Sequence, residues 1–95
     1  MNLLALVLVT WVAPTTYIDG SPLDTLDGYR LSWSVRSEIQ PTIDVPGDVV
    51  TFDLGDQQGR VCVSLVVVSH GVESDPSPIS CRNVKPSRVE TIEVR

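Results

Sequence analysis

The run Leu3-Leu4-Ala5-Leu6-Val7-Leu8-Val9-Thr10-Trp11-Val12, closed by Ala13-Pro14, decides how the whole chain is read. A continuous apolar run bounded by proline fits a buried helix or a buried strand. The β-branched and aromatic residues Val7, Val9, Thr10, Trp11 and Val12 turn the reading towards strand. A secretory leader is the competing reading. It needs a positively charged start and a small-residue cleavage site. No Lys or Arg precedes the run, and Ala13 is followed by Pro14. The run also falls well short of the roughly 20 apolar residues that a membrane-spanning helix requires, so no membrane partner is expected. An interior strand that sends Val7, Val9 and Trp11 to the core leaves Leu4, Leu6 and Leu8 facing outward.

Downstream, the chain is punctuated like an all-β protein. Thr15 to Gly28 holds Asp19-Gly20, Ser21-Pro22 and Asp27-Gly28 and reads as a long loop. From Tyr29 to Val35 the pattern alternates, with Tyr29, Leu31, Trp33 and Val35 on one face. Pro41 to Asp48 contains Pro41, Pro46 and Gly47 and is expected to be a turn region. Val50, Phe52 and Leu54 alternate again, and Gly55 to Gly59 is a polar turn. Val61 to Ser69 is the strongest strand. Its Val61, Val63, Leu65 and Val67 face the core, which puts Val66 and Val68 outside. His70-Gly71 opens a turn that ends near Pro76, and Ile79 to Val84 forms a short strand. After Lys85-Pro86, Val89 to Val94 has the alternation of one more strand. No segment sustains a helical apolar period. Short strands between Pro, Gly and Asp turns predict a β-sandwich, with residues 1–84 as the domain and 85–95 as an extension.

Composition narrows the function. Ninety-five residues make one domain with a thin core. At 42% hydrophobic and 20% charged, the chain is too apolar for charge-driven disorder. A net charge of −5 with scattered cations is unsuited to nucleic acid. His70 is the sole histidine and reads as a solvated turn residue beside Asp75, with no nucleophile elbow to serve. Asp19, Asp24 and Asp27 share one loop but lack EF-hand spacing and read as turn residues. No cofactor is implied. Cys62 and Cys81 match no zinc or redox motif. A tight hairpin centred on Gly71-Val72 sets them opposite each other, with Cys62 facing outward. Free thiols are the expectation for a cytosolic chain, with a disulfide as the alternative.

Together, Val9-Thr10-Trp11-Val12-Ala13-Pro14, the segment Leu26-Asp27-Gly28-Tyr29-Arg30-Leu31 and the hairpin Gly71-Val72-Glu73-Ser74-Asp75-Pro76-Ser77 resemble the fibronectin type III family in its phage and bacterial forms. The resemblance spans roughly Val7 to Val84 and implies an immunoglobulin-like sandwich. Two departures stand out. Val61 stands where the family has a core tyrosine, and the residues ahead of Trp11 leave no room for the family's first strand. A missing first strand bares an apolar edge, a hazard that proteins normally cover. The segment Val89 to Val94 is expected to cover such an edge, within the chain or on a neighbour.

Taken with the resemblance, these features imply a non-enzymatic structural subunit of a phage virion, in capsid decoration or in the tail. Such a chain assembles in the host cytoplasm and binds other structural proteins or copies of itself. The expected contact residues are Leu4, Leu6, Leu8, Val66, Val68, Val89, Ile92 and Val94. The alternative is a secreted or cell-surface module that recognises protein or polysaccharide.

Overall fold

A computed structural model describes residues 6–86 and 88–95. Among them there is no helix, and two antiparallel sheets face each other as a sandwich. The strands are β1 Leu6–Thr10, β2 Gly28–Val35, β3 Glu38–Ile39, β4 Ile43–Pro46, β5 Thr51–Asp56, β6 Gly59–Ser69, β7 Val72–Glu73 and β8 Ser80–Val84. The smaller sheet is β1 beside β5. In the larger sheet β2 and β6 form the centre, β3 and β4 pair with β2, and β7 and β8 pair with β6. The chain crosses between sheets after β1, after β4 and after β5, so neighbours in space are mostly not neighbours in sequence.

The two-residue period of the sequence builds the core. Val7 and Val9 point inward from β1, Leu31 and Val35 from β2, Leu54 from β5 and Val61 from β6, and these six form one buried cluster. Trp11, Trp33, Phe52, Val63, Leu65 and Val84 pack around it partly buried. Val50, expected to alternate with Phe52, is exposed; its carbonyl accepts a hydrogen bond from the Trp11 amide at 3.0 Å. Beside the cluster, Tyr29 is buried with its ring edge-on to Trp11, centroids 5.1 Å apart. The Tyr29 hydroxyl and Trp11 Nε1 are buried without hydrogen-bond partners, an unusual expense in so small a domain.

Turn chemistry fixes the register. Val35 pairs with Glu38, leaving Arg36 and Ser37 at φ 50° and 67° as a two-residue turn. Ser69 pairs with Val72 around His70 and Gly71, at φ 51° and 74°. Positive φ at both central positions is the hairpin turn whose twist matches the flanking strands, and glycine adopts it without steric cost. In β5, Leu8 faces Asp53 and Leu6 faces Asp56, so Leu54 and Gly55 bulge opposite Val7, with Gly55 at φ 79°.

Three expectations are corrected. The region from Pro41 to Asp48 is not all turn, because Ile43–Pro46 is β4, with Val45 opposite Tyr29 and buried. Its two inward side chains follow the strand period, and Pro46 sits at the strand end, where its missing N–H breaks no ladder. The turn from His70 to Pro76 holds a short strand, β7. The segment Val89 to Val94 is not a strand: residues 88–95 are exposed and pair with nothing in the sheets. Strands exist only as ladders, and Pro86, two residues after β8 ends at Val84, has no N–H to give to one. The in-chain cover for the first-strand position is therefore absent among the described residues. The radius of gyration is 17.7 Å and the long axis 68 Å. A compact chain of this length has a radius near 12 Å.

Candidate functional site

β1 carries the feature with the clearest capacity to bind. It pairs with β5 on one side, and no described strand lies on the other. Its outward side chains Leu6 and Leu8 are 45% and 63% exposed. An unpaired strand edge presents a row of unpaired amides and carbonyls, a ready template for another strand. Between this edge and β8 lies a groove of about 330 Å³. Val7, Val9 and Trp11 form one wall, and Val61, Val63 and Leu65 form the floor. Cys81 and Arg82 of β8 form the other wall, and Arg82 Nη1 donates to the Leu6 carbonyl at 3.3 Å across one end. The lining is therefore mostly core-facing apolar surface that the two sheets leave uncovered.

β8 is held in place covalently. Cys62 stands opposite Cys81 in the β6–β8 ladder, their Cα atoms are 4.1 Å apart, and they form a disulfide. This overturns the expectation of free thiols: the hairpin register leaves no distance for the two sulfurs to avoid each other.

Between β7 and β8, residues 74–79 leave the ladder, and two serines stand in for it. The Ser74 amide donates to the Val67 carbonyl at 2.8 Å, and Ser74 Oγ accepts from the Val67 amide at 2.9 Å. Ser77 does the same for Leu65, donating at 2.8 Å and accepting at 2.9 Å. The Gly-x-Glu-Ser-x-Pro-Ser hairpin thus satisfies the backbone of β6 although Pro76 and Pro78 cannot donate.

The remaining expected contact residues are distributed unevenly. Leu4 lies outside the described residues. Val66 and Val68 are half-buried, not open. Arg30, opposite Val66, bonds Asp44 on β4 at 3.2 Å and reaches across β6 to pair with Glu73 on β7. Its stem therefore shields the outer face at these valines. Val89, Ile92 and Val94 are exposed, Val94 at 94%. The structure brings Leu6 and Leu8 together, and keeps them apart from Val66 and Val68, which lie on the other sheet.

The loop carboxylates each have a local task. Asp19 Oδ1 accepts from the Ser21 amide at 2.9 Å and from its hydroxyl at 2.6 Å. Asp27 Oδ2 accepts from the Gly71 amide at 3.0 Å. Asp24 accepts from the Tyr17 hydroxyl and lies 3.2 Å from His70 Nε2, while the Ser69 hydroxyl donates to the Thr25 carbonyl at 2.6 Å. These contacts tie the long loop after β1 to the β6–β7 turn. Among the described residues, no three His, Cys, Asp or Glu side chains could hold a metal ion, and no helix is long and apolar enough to cross a membrane.

The Tyr17 hydroxyl, and then His70, hold the Asp24 carboxyl below the usual aspartate range. A depressed carboxyl stabilises the fold above its unfolded-state value, and that contribution is lost as the pH falls through the lowered value. The Asp24 carboxyl carbon is expected to titrate in NMR with a midpoint below that of Asp in an unfolded peptide. Tyr17→Phe should return it upward; an unmoved midpoint would show that the contact is not formed in solution.

No family model matches the chain, and neither a curated protein nor a solved structure shows significant similarity to it.

Proposed function

We propose that this chain is a non-enzymatic structural subunit that assembles with further copies of itself and with other structural proteins through its sheet edges. We place it with the fibronectin type III kind of immunoglobulin-like sandwich, in a phage virion, as a capsid decoration or tail component. The bare edge of β1 beside its apolar groove carries the reading. Apolar surface of this kind is costly in water, and strand addition is a recurrent way of covering it. The strand order supports the family placement. β1 and β5 share one sheet, and β4, β2, β6 and β8 follow in succession across the other, the order we would expect of such a sandwich lacking its opening strand.

One observation favours the alternative, a secreted or surface module. The Cys62–Cys81 disulfide suits oxidising surroundings. A released particle meets those surroundings as well, so the bond is compatible with both readings, and the exposed edge favours assembly.

Size-exclusion chromatography with light scattering across a concentration series tests the proposal. A mass that rises to multiples of 10.4 kDa is expected. A monomer at every concentration would overturn self-assembly and leave the loop-binding module as the better reading.

A further inference from the structure

We infer that residues 88–95 of one copy lie antiparallel along the free edge of β1 in another copy, filling the groove between β1 and β8, so that copies join head to tail. This rests on the assembly reading and names its partner segment.

Strand direction selects a second copy over the chain's own tail. Gly59 pairs with Val84 and Leu6 pairs with Asp56, so β8 ends at the end of the sandwich where β1 begins. A tail that folded back from Val84 onto its own β1 would run parallel to it. Parallel pairing is the weaker ladder, and Pro86 would have to sit in the tight reversal. A tail from another copy is free to enter from the opposite end and pair antiparallel.

The side chains fit that arrangement. In an extended segment Ile92 and Val94 point the same way, with Thr91 and Glu93 on the other side. Laid along the edge, Ile92 and Val94 enter a groove walled by Val7, Val9 and Trp11 and floored by Val61, Val63 and Leu65. Both are exposed in the single chain, at 78% and 94%. The eight residues of the tail are enough to span the five of β1.

Charge agrees as well. Residues 88–95 carry Arg88 and Arg95 against Glu90 and Glu93, a net charge of zero; with −5 overall, the rest of the chain carries −5. Antiparallel entry brings Arg95 to the Leu6 end of β1, where Asp53 and Asp56 line the neighbouring strand opposite Leu8 and Leu6. A neutral tail meets an acidic neighbour without the repulsion that two acidic surfaces would suffer.

The test uses the full chain and the double variant Ile92→Asp with Val94→Asp in sedimentation velocity. Both positions are exposed in the single chain, so the variant should keep its melting temperature at concentrations where both proteins are monomeric. Self-association is expected to weaken by roughly 100-fold or more. A photo-crosslinking residue at position 92, in a mixture of ¹⁴N- and ¹⁵N-labelled chains, should give mixed-isotope links from 92 to residues 6–11 or 80–82. An unchanged oligomer in the double variant, links confined to one isotope, or links elsewhere would overturn the inference and leave the assembly reading standing. A monomeric full chain would remove both.

Discussion

Replacing Leu31 with alanine is expected to lower the unfolding free energy by about 3 kcal/mol or more. Leu31 is 0% exposed, at the centre of β2, opposite Ile43 on one side and Leu65 on the other. It belongs to the buried cluster to which both sheets contribute, so the vacated space has walls on two sides and little freedom to collapse. Truncation removes the transfer energy of the lost methyl and methylene groups and adds the cost of a cavity. Domains of this size hold about 5–15 kcal/mol in total, so the variant should lose a large fraction of its stability while remaining folded. Urea denaturation followed by the fluorescence of Trp11 and Trp33 should show the midpoint falling at constant slope. Leu8→Ala, at 63% exposure, is the control and should move the midpoint by no more than about 0.5 kcal/mol in a monomeric sample. Equal losses at the two positions would show that the core is not where the structure puts it.

Breaking the disulfide should have a comparable effect by a different route. The bridge joins residues 19 apart. Closing a loop of that length in the unfolded chain is worth about 3 kcal/mol in the chain-entropy account. The consequence goes beyond global stability, because β8 pairs with β6 along five positions and its residues are mostly exposed. With few buried contacts to hold it, β8 should fray first when the tether is cut. Cys62→Ala with Cys81→Ala, or the reduced wild type, is expected to lose protection from amide exchange over residues 80–84 and to unfold at lower urea. Intact mass should rise by two hydrogens on reduction. A protein that already carries two titratable thiols before reduction would remove the premise.

Much of the framework is legible in the residues themselves, because alternation in β2 and β6 is long enough to fix both strand and face. Leu31 and Val61 are core residues on that pattern alone. β4 was hidden because Pro41, Pro46 and Gly47 announce a turn louder than two inward residues, Ile43 and Val45, announce a strand. The disulfide could be placed geometrically but not decided, since opposite cysteines are equally compatible with thiols until the ladder register is known. The outward row of Leu6 and Leu8 follows from β1's period, whereas the cover over Val66 and Val68 depends on Arg30 crossing a strand to reach Glu73, a pairing 43 residues distant that no local pattern reveals. The groove was out of reach for the same reason: it exists between two sheets and belongs to no segment.

The serines of the β6 hairpin have a consequence for growth. Where Ser74 and Ser77 take up the amides and carbonyls of Val67 and Leu65, an arriving ribbon finds no vacant donors along that margin, and the prolines beside them cannot offer any. That stretch of β6, between the residues paired with β7 and those paired with β8, is sealed by sequence, while the β1 edge of the smaller sheet is left bare. A particle built from such units would grow from the β1 margin and not from this stretch of β6, which gives each junction a built-in sense of direction.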